Sequence, residues 1–302
     1  MLRQAPAKRT LMPVSFGEDM PDAFDHCEEL VRASDKDRFL ATLFAPQKYR
    51  RALFGLYAFN LEIARVREAA REPMPGEIRL QWWRDVLGGA GRGEIAAHPV
   101  AAALRDVVVR YRLPPRMLTE LIDGRSFDLY DEPMASLSYL ERYAMQTSSA
   151  LIELAARILS DGRDPTISDL SRHAGIAYAI VGLLRALPVH AARGQLYLPA
   201  DLMERYGAQA ADVFAGNATT EVRAVLAELR LRARHHLGAA RGWLNDAPSE
   251  VEPALLPVVL VRPALDRMER RSYRPFSAND LPQWRRQWAL WRAARKGLRK
   301  AL

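Results

Sequence analysis

Four carboxylates between residues 123 and 132 form a dense acidic cluster, and carboxylates are side chains that bind Mg²⁺ or transfer protons. Asp123 and Asp128 lie five residues apart, a spacing that places them poorly for sharing one face of a helix. Asp131 and Glu132 follow directly after them. Because acids near helix ends are common on protein surfaces, this cluster alone does not predict a metal site.

Histidine is another residue type that binds metals, but its spacing here gives no set of ligands. His190 has no second histidine three or four residues away. His235 and His236 are adjacent, so their side chains point in different directions on a helix. The single cysteine, Cys27, excludes an internal disulfide and a cysteine-based metal site. From these residues we predict no catalytic group and no metal ligand.

Positive charge is concentrated at the C-terminal end of the chain. Residues 284–302 contain seven arginines and lysines and no acid, which leaves the rest of a chain of net charge +8 nearly neutral. Trp284, Trp288 and Trp291 recur there at helical spacing. A basic amphipathic helix with tryptophan on its apolar side suits an anionic membrane surface or an acidic partner. The alternative is that the tryptophans pack onto the rest of the protein. Since the body of the chain is nearly neutral, we expect no nucleic-acid partner.

The composition is that of a soluble globular protein, with 49% hydrophobic and 26% charged residues among 302. The most apolar stretch, around residues 176–187, is interrupted by Arg185 and falls short of the roughly 20 residues that a membrane-spanning helix needs. We therefore expect no transmembrane segment. We also expect a flexible N-terminal segment over residues 1–30, a helical domain over 31–280, and a basic amphipathic helix over 281–302.

Helical segments dominate the chain. Stretches of ten to twenty-five residues rich in Ala, Leu, Arg and Glu are separated by Pro and Gly, and the alternating patterns typical of strands are scarce. These patterns predict an all-α fold. The predicted helices cover residues 46–70, 77–87, 100–111, 117–130, 137–159, 169–187, 221–244 and 281–302.

Three stretches, taken in order, resemble a known family. They are YRRALFGLYAFN at residues 49–60, LIDGRSFDL at 121–129, and the pair LR at 184–185 followed by GQLYLP at 194–199. Together they make the chain similar to the squalene/phytoene synthase family over roughly residues 35–275. The resemblance implies an isoprenoid-synthase-type helical bundle around a central cavity. Enzymes of this family join two prenyl diphosphates head to head, using Mg²⁺ held by two aspartate motifs on facing helices.

The first of these motifs falls on residues 64–68 of this chain and is degenerate. Ala64 and Arg65 stand where the family has acids, and Glu68 is the one carboxylate that remains. An arginine of the family three residues before the motif is Leu61 here. One wall of the implied metal site has therefore lost most of its oxygen ligands.

The second motif falls on residues 186–190 and is degenerate as well. Ala186 and His190 replace its two metal-binding aspartates, and Val189 replaces an intervening acid. The arginine that the family has before Tyr-Leu-Pro is Gln195. Mg²⁺ requires oxygen ligands, and a leaving diphosphate without Mg²⁺ loses its main electrostatic stabilisation. The resemblance therefore implies the scaffold of the family without its prenyl-transfer site.

Other residues match the cavity of the family and could line a pocket for an isoprenoid or another lipid. The alternative is that they fill and hydrogen-bond the core of a bundle whose cavity has partly closed. These candidates are Arg38, Tyr57, Asp128, Tyr143, Arg185 and Tyr197.

One branch of the family lacks the aspartate motifs, and the string RALPVH at residues 185–190 is similar to that branch. It includes the phytoene-synthase-type assembly factors of mitochondrial complex I and their bacterial relatives. The resemblance implies a non-catalytic protein that assists maturation of respiratory complex I (NADH dehydrogenase), with complex I subunits or other assembly factors as partners and no cofactor. Two alternatives remain: a Mg²⁺-dependent head-to-head prenyltransferase with atypical metal binding, and an isoprenoid or lipid carrier. We expect the protein in the bacterial cytoplasm, peripheral on the inner membrane, rather than in a mitochondrial matrix.

Overall fold

The computed structural model describes residues 22–69, 72–89, 97–277 and 281–302, and these ranges contain helices and turns but no β-strand. The predicted all-α fold is thereby confirmed. The α-helices, numbered in chain order, are α1 (Ala23–Ser34), α2 (Lys36–Thr42), α3 (Gln47–Ala64), α4 (Val66–Ala69), α5 (Pro73–Leu87), α6 (Pro99–Tyr111), α7 (Pro115–Ser126), α8 (Leu137–Ala144), α9 (Ala150–Leu159), α10 (Ser168–Ala192), α11 (Ala200–Tyr206), α12 (Ala210–Phe214), α13 (Thr220–Trp243), α14 (Glu252–Leu255), α15 (Val261–Met268) and α16 (Gln283–Lys296). Shorter helical turns occur at Phe127–Leu129, Met145–Ser149, Ser249–Val251, Leu256–Leu260 and Leu298–Lys300.

Helix α1 corrects the predicted N-terminal boundary. The flexible segment expected over residues 1–30 includes residues 23–30, which are helical. The Asp22 side chain accepts a hydrogen bond from the Phe24 amide and so caps the helix, while Cys27 and Val31, one turn apart, are fully buried. Helix α1 packs against α3 and α6 and is part of the bundle. Residues 1–21 lie outside the described residues.

The long helix α10 crosses the middle of the bundle and packs along α13. It continues to Ala192 through Pro188, although the sequence predicts an end at Leu187. The proline ring removes one hydrogen-bond donor from the helix, and the tertiary packing on both sides of it outweighs that loss. Contrary to our expectation, α10 is long and apolar enough to meet the criteria for a membrane-spanning helix, but 56% of its most apolar window is buried inside the protein. Such burial is typical of a core helix.

A single π-helical turn, Met145–Ser149, joins α8 to α9 and lies directly against the backbone of α10. The Ser149 hydroxyl donates a hydrogen bond of 3.0 Å to the Arg172 carbonyl. A Cβ atom placed on Gly175 would lie 2.4 Å from both the amide nitrogen and the Cα of Ser149. The close approach of the two backbones therefore requires glycine at position 175.

The C-terminal helix α16 docks through the side opposite its tryptophans. Leu290 and Ala293 are fully buried against α2 and the turn Leu256–Leu260, and Arg286 pairs with the buried Asp37. The tryptophans stay at the surface, with 64%, 57% and 41% of Trp284, Trp288 and Trp291 exposed. The alternative in which the tryptophan stripe packs onto the protein is therefore wrong.

Candidate functional site

An ion pair links the first degenerate motif to Arg193, three residues beyond the second motif. Glu68 on α4 accepts a hydrogen bond of 2.8 Å from Arg193, which directly follows α10. Both side chains are about half exposed. The Arg193 guanidinium thus connects the end of α10 to α4. The one carboxylate left in the first motif already has a cationic partner within the protein.

The remaining residues of the first motif offer no further oxygen ligand, and Val66 among them is buried in the core. Ala64 ends α3, and Arg65 is exposed at the cap of that helix. Arg67 donates hydrogen bonds of 2.6 Å to the Leu129 carbonyl and to Asp131. The segment thus binds the loop after α7 rather than a ligand in the interior.

In the second motif, His190 is the polar residue that turns inward, beside the buried Leu187. Ala186 is partly buried on α10, and half of the Val189 side chain is exposed. The His190 ring lies 4.5 Å from the Tyr197 ring, centroid to centroid. Burial lowers the pKa of His190 to about 4, with Arg193 adding to this effect and Asp128 opposing it. The imidazole is therefore neutral at ordinary pH.

We predict a pH dependence of stability that comes from His190. Its pKa is about 4 in the folded protein and about 6.5 when unfolded, so the unfolded chain binds a proton first as the pH falls. The free energy of unfolding should then decrease between about pH 6.5 and pH 4, by up to about 3 kcal/mol. Urea unfolding of the wild type and of His190→Gln at a series of pH values measures the difference. Equal pH dependence in the two proteins would contradict the prediction.

The interior next to the second motif is filled by a buried polar network around Asp128. Its carboxylate accepts hydrogen bonds from Tyr143 (3.0 Å), Tyr197 (2.8 Å) and Arg125 (3.2 Å). Arg125 also donates to the Tyr143 hydroxyl at 2.8 Å. Burial, together with the charge of Asp128, raises the pKa of both tyrosines, and Arg125 opposes this only partly. Both hydroxyls therefore remain protonated donors. The network ties α7, α8 and the segment after α10 together.

The other candidate cavity residues lie around Arg38. Its guanidinium binds Asp35 at 2.6 Å and lies over the rings of Tyr57 and Tyr178, 5.7 and 5.3 Å from their centroids. Burial raises the pKa of Tyr178 to about 12, and the positive charge of Arg38, with a smaller effect of Arg185 on α10, opposes this. Arg38 is therefore engaged by side chains of the protein itself.

Three of the six predicted cavity residues line two small cavities, and the other three line neither of them. Arg38 and Tyr57 line one of about 10 Å³, and His190 and Tyr197 line another of about 10 Å³. Each has room for about one water molecule, whereas small-molecule sites usually exceed about 300 Å³. Neither cavity has room for an isoprenoid chain. The alternative in which these residues fill and hydrogen-bond a partly closed core describes their contacts better.

Mg²⁺ does not fit the residues at the two motif positions. Glu68 is the one carboxylate among them, and Arg193 already binds it. The acids of the cluster at 123–132 are also held apart, since Asp123 pairs with Arg84 and Asp131 with Arg67. Across the described part of the chain, no three His, Cys, Asp or Glu side chains are grouped so as to hold a metal ion.

Two arginines of the site were missed by the sequence analysis. Arg125 precedes Asp128 by three residues, so the spacing of a helical ion pair could have indicated this contact. Arg193 reaches Glu68 across 125 residues of sequence, and no local pattern reveals such a contact.

Comparison with known proteins shows which family and which relatives the chain is similar to. The family model for squalene/phytoene synthase matches residues 31–292. The chain is 33% identical to "NADH dehydrogenase (ubiquinone) complex I, assembly factor 6" of Rattus norvegicus over 87% of this chain and 79% of that protein. It is 24% identical to the chloroplastic phytoene synthase 3 of Zea mays over 90% of this chain and 65% of that one. A crystal structure of a dehydrosqualene synthase superposes with a TM-score of 0.78 at 17% identity, covering 92% of this chain and 97% of that one. At this identity the likeness establishes the fold alone.

Proposed function

We propose that this chain, which belongs to the squalene/phytoene synthase family, does not catalyse prenyl transfer and serves as an assembly or maturation factor for respiratory complex I. The observation that carries the assembly role is the 33% identity to a complex I assembly factor over most of both chains. The Glu68–Arg193 pair supports the non-catalytic part, because the one carboxylate left at the motif positions already binds a cationic side chain of the protein, and Mg²⁺ needs oxygen ligands. The protein then needs no metal cofactor.

The partners in this role are subunits of complex I or other assembly factors. Surface contacts and not an internal ligand would carry the function, because the interior is filled around Asp128 and Arg38. We also propose that residues 281–302 bring the protein to an anionic membrane surface. This would place it in the cytoplasm of a bacterium, peripheral on the inner membrane.

Deletion of the gene in the source cell tests the assembly role. We expect the amount of assembled complex I to fall several-fold, as measured by native gel electrophoresis and by NADH oxidation in isolated membranes. Both the wild-type chain and Glu68→Gln should restore it, because Glu68 is not needed as a metal ligand. Unchanged complex I after deletion, or failure of Glu68→Gln to restore it while the protein accumulates normally, would contradict the proposal.

An enzymatic assay tests the non-catalytic part separately. Purified protein with farnesyl or geranylgeranyl diphosphate and Mg²⁺ should release no diphosphate above the rate without protein. A phytoene synthase that carries both aspartate motifs serves as the positive control. Release of diphosphate together with a coupled prenyl product would overturn this part of the proposal, whatever the result of the deletion.

A further inference from the structure

The outer side of α16 is an exposed surface of aromatic and basic residues, which we call the α16 surface. Its aromatic part consists of Trp284, Trp288 and Trp291, and the rings of the last two are stacked with centroids 5.0 Å apart. Three adjacent exposed tryptophans are unusual on a soluble protein and commonly mark an interaction site. Its basic part is formed by Arg292, Arg295, Lys296 and Lys300, all of them exposed.

The fold fixes the direction in which this surface faces. Leu290, Ala293 and Leu298 are fully buried on the inner side, and Arg286 on that side pairs with Asp37. On this inner side, Arg286, Leu290 and Ala293 each follow one of the tryptophans by two positions, which corresponds to about 200° around a helix. The helix therefore cannot turn its tryptophans inward without breaking this packing.

The basic part forms a concave site at the C-terminal end of the helix. A groove of about 470 Å³ is lined by Arg292, Arg295, Lys296 and Lys300. Gly297 ends the helix with φ 82° and ψ 145°, a conformation that residues with a side chain rarely adopt. This turn returns the chain so that Lys300 faces the same groove as the last turn of α16.

We propose that this groove binds the phosphate groups of an anionic phospholipid, and that it suits a headgroup with two phosphodiesters. The proposal rests on the membrane association proposed above. Four cationic side chains around one groove exceed the single charge of a monophosphate headgroup, whereas a headgroup with two phosphates balances them better. The adjacent tryptophans favour a bilayer over other anionic partners, because indole rings partition to the interface between headgroups and acyl chains. A nucleic-acid track would need basic side chains beyond this helix, and the rest of the chain is nearly neutral.

Co-sedimentation with vesicles tests the proposal on the full chain. Three vesicle types are compared: phosphatidylcholine alone, phosphatidylcholine with phosphatidylglycerol, and phosphatidylcholine with cardiolipin at the same total negative charge. We expect no binding to the first, binding to the second, and binding several-fold tighter to the third.

Arg295→Gln combined with Lys300→Gln should weaken binding to cardiolipin vesicles by about 30-fold, since each cation near an anionic surface contributes about fivefold. Gly297→Ala should reduce the preference for cardiolipin without changing any charge, provided that its thermal unfolding shows a folded protein.

Two controls separate the possible failures. Arg105→Gln with Arg110→Gln removes the same charge from exposed positions on α6 and should leave vesicle binding almost unchanged. Trp284→Ser with Trp288→Ser should weaken binding to both anionic vesicle types. If the wild type binds no anionic vesicle, the proposed membrane association fails together with this inference. Equal binding of the wild type to both anionic vesicle types would overturn only the headgroup site. The same holds if the double variant at Arg295 and Lys300 binds cardiolipin vesicles as tightly as the control double variant on α6.

Discussion

Replacing Gly175 by alanine should lower the free energy of unfolding by about 3 kcal/mol, although it adds a single methyl group. That methyl would lie 2.4 Å from backbone atoms of Ser149, and backbone atoms cannot move aside as the end of a side chain can. Relief would require separating α10 from the π-helical turn and losing the hydrogen bond from Ser149 to the Arg172 carbonyl. Urea or thermal unfolding followed by circular dichroism measures the change.

The matched control is Gly182→Ala, two turns further along the same helix. Apart from the adjacent residues and the backbone of the helix itself, no atom lies within 4 Å of a Cβ placed there, and alanine favours the helical state over glycine by about 1 kcal/mol. We therefore expect Gly182→Ala to keep or slightly raise stability while Gly175→Ala lowers it. Equal effects of the two substitutions would show that the contact with Ser149 does not constrain the bundle.

Replacing Asp128 by leucine should destabilise the protein by about 3–5 kcal/mol, the range found when one partner of a buried ion pair is removed. Asp128 is 7% exposed and accepts hydrogen bonds from two tyrosine hydroxyls and from Arg125. Leucine branches at the same position but is larger, and it leaves all three donors buried without this acceptor. Chemical unfolding of the variant and the wild type gives the difference.

Asp123→Asn is the control for Asp128. Asp123 pairs with Arg84 from a half-exposed position, and such surface pairs contribute about 1 kcal/mol or less. The two substitutions affect acids five residues apart in the same segment. If both substitutions lower the free energy of unfolding by about the same amount, Asp128 does not hold α7, α8 and the segment after α10 together, and our description of the network is wrong.

The fold could be predicted from sequence because helical spacing and Pro or Gly breaks mark most helices. The predicted N-terminal boundary was wrong because α1 was missed: the capping Asp22 and the pair Cys27 and Val31 are weaker signals than a long periodic run. The predicted end of α10 was wrong for another reason. Pro188 is a reliable local signal for the end of a helix, but packing along α13 overrides it.

The site could be predicted only in part. Sequence alignment with the family located the degenerate motifs, but their replacement contacts depend on distant residues such as Arg193. Periodicity placed the tryptophans on one side of α16 but could not decide whether that side packs inward. The packing side is determined by Leu290 and Ala293, which are fully buried on the opposite side. Both are common helix residues, so the sequence does not distinguish them as packing contacts. Closure of the cavity depends on how side chains pack together, which no local pattern encodes.

The Glu68–Arg193 pair also bears on whether mutation could give this chain prenyl transfer. Aspartates at Ala64 and Ala186 would still leave Glu68 bound to Arg193, which competes with Mg²⁺ for that carboxylate. Either aspartate alone would supply one of several missing oxygen ligands, and we expect no prenyl transfer from it. Activity would need several acids together with the release of Glu68 from Arg193. On the proposed function, the pair would make a return to prenyl transfer hard to reach by single mutations, and reconstructed ancestral sequences should show whether Arg193 arose before or after the replacement of the acids.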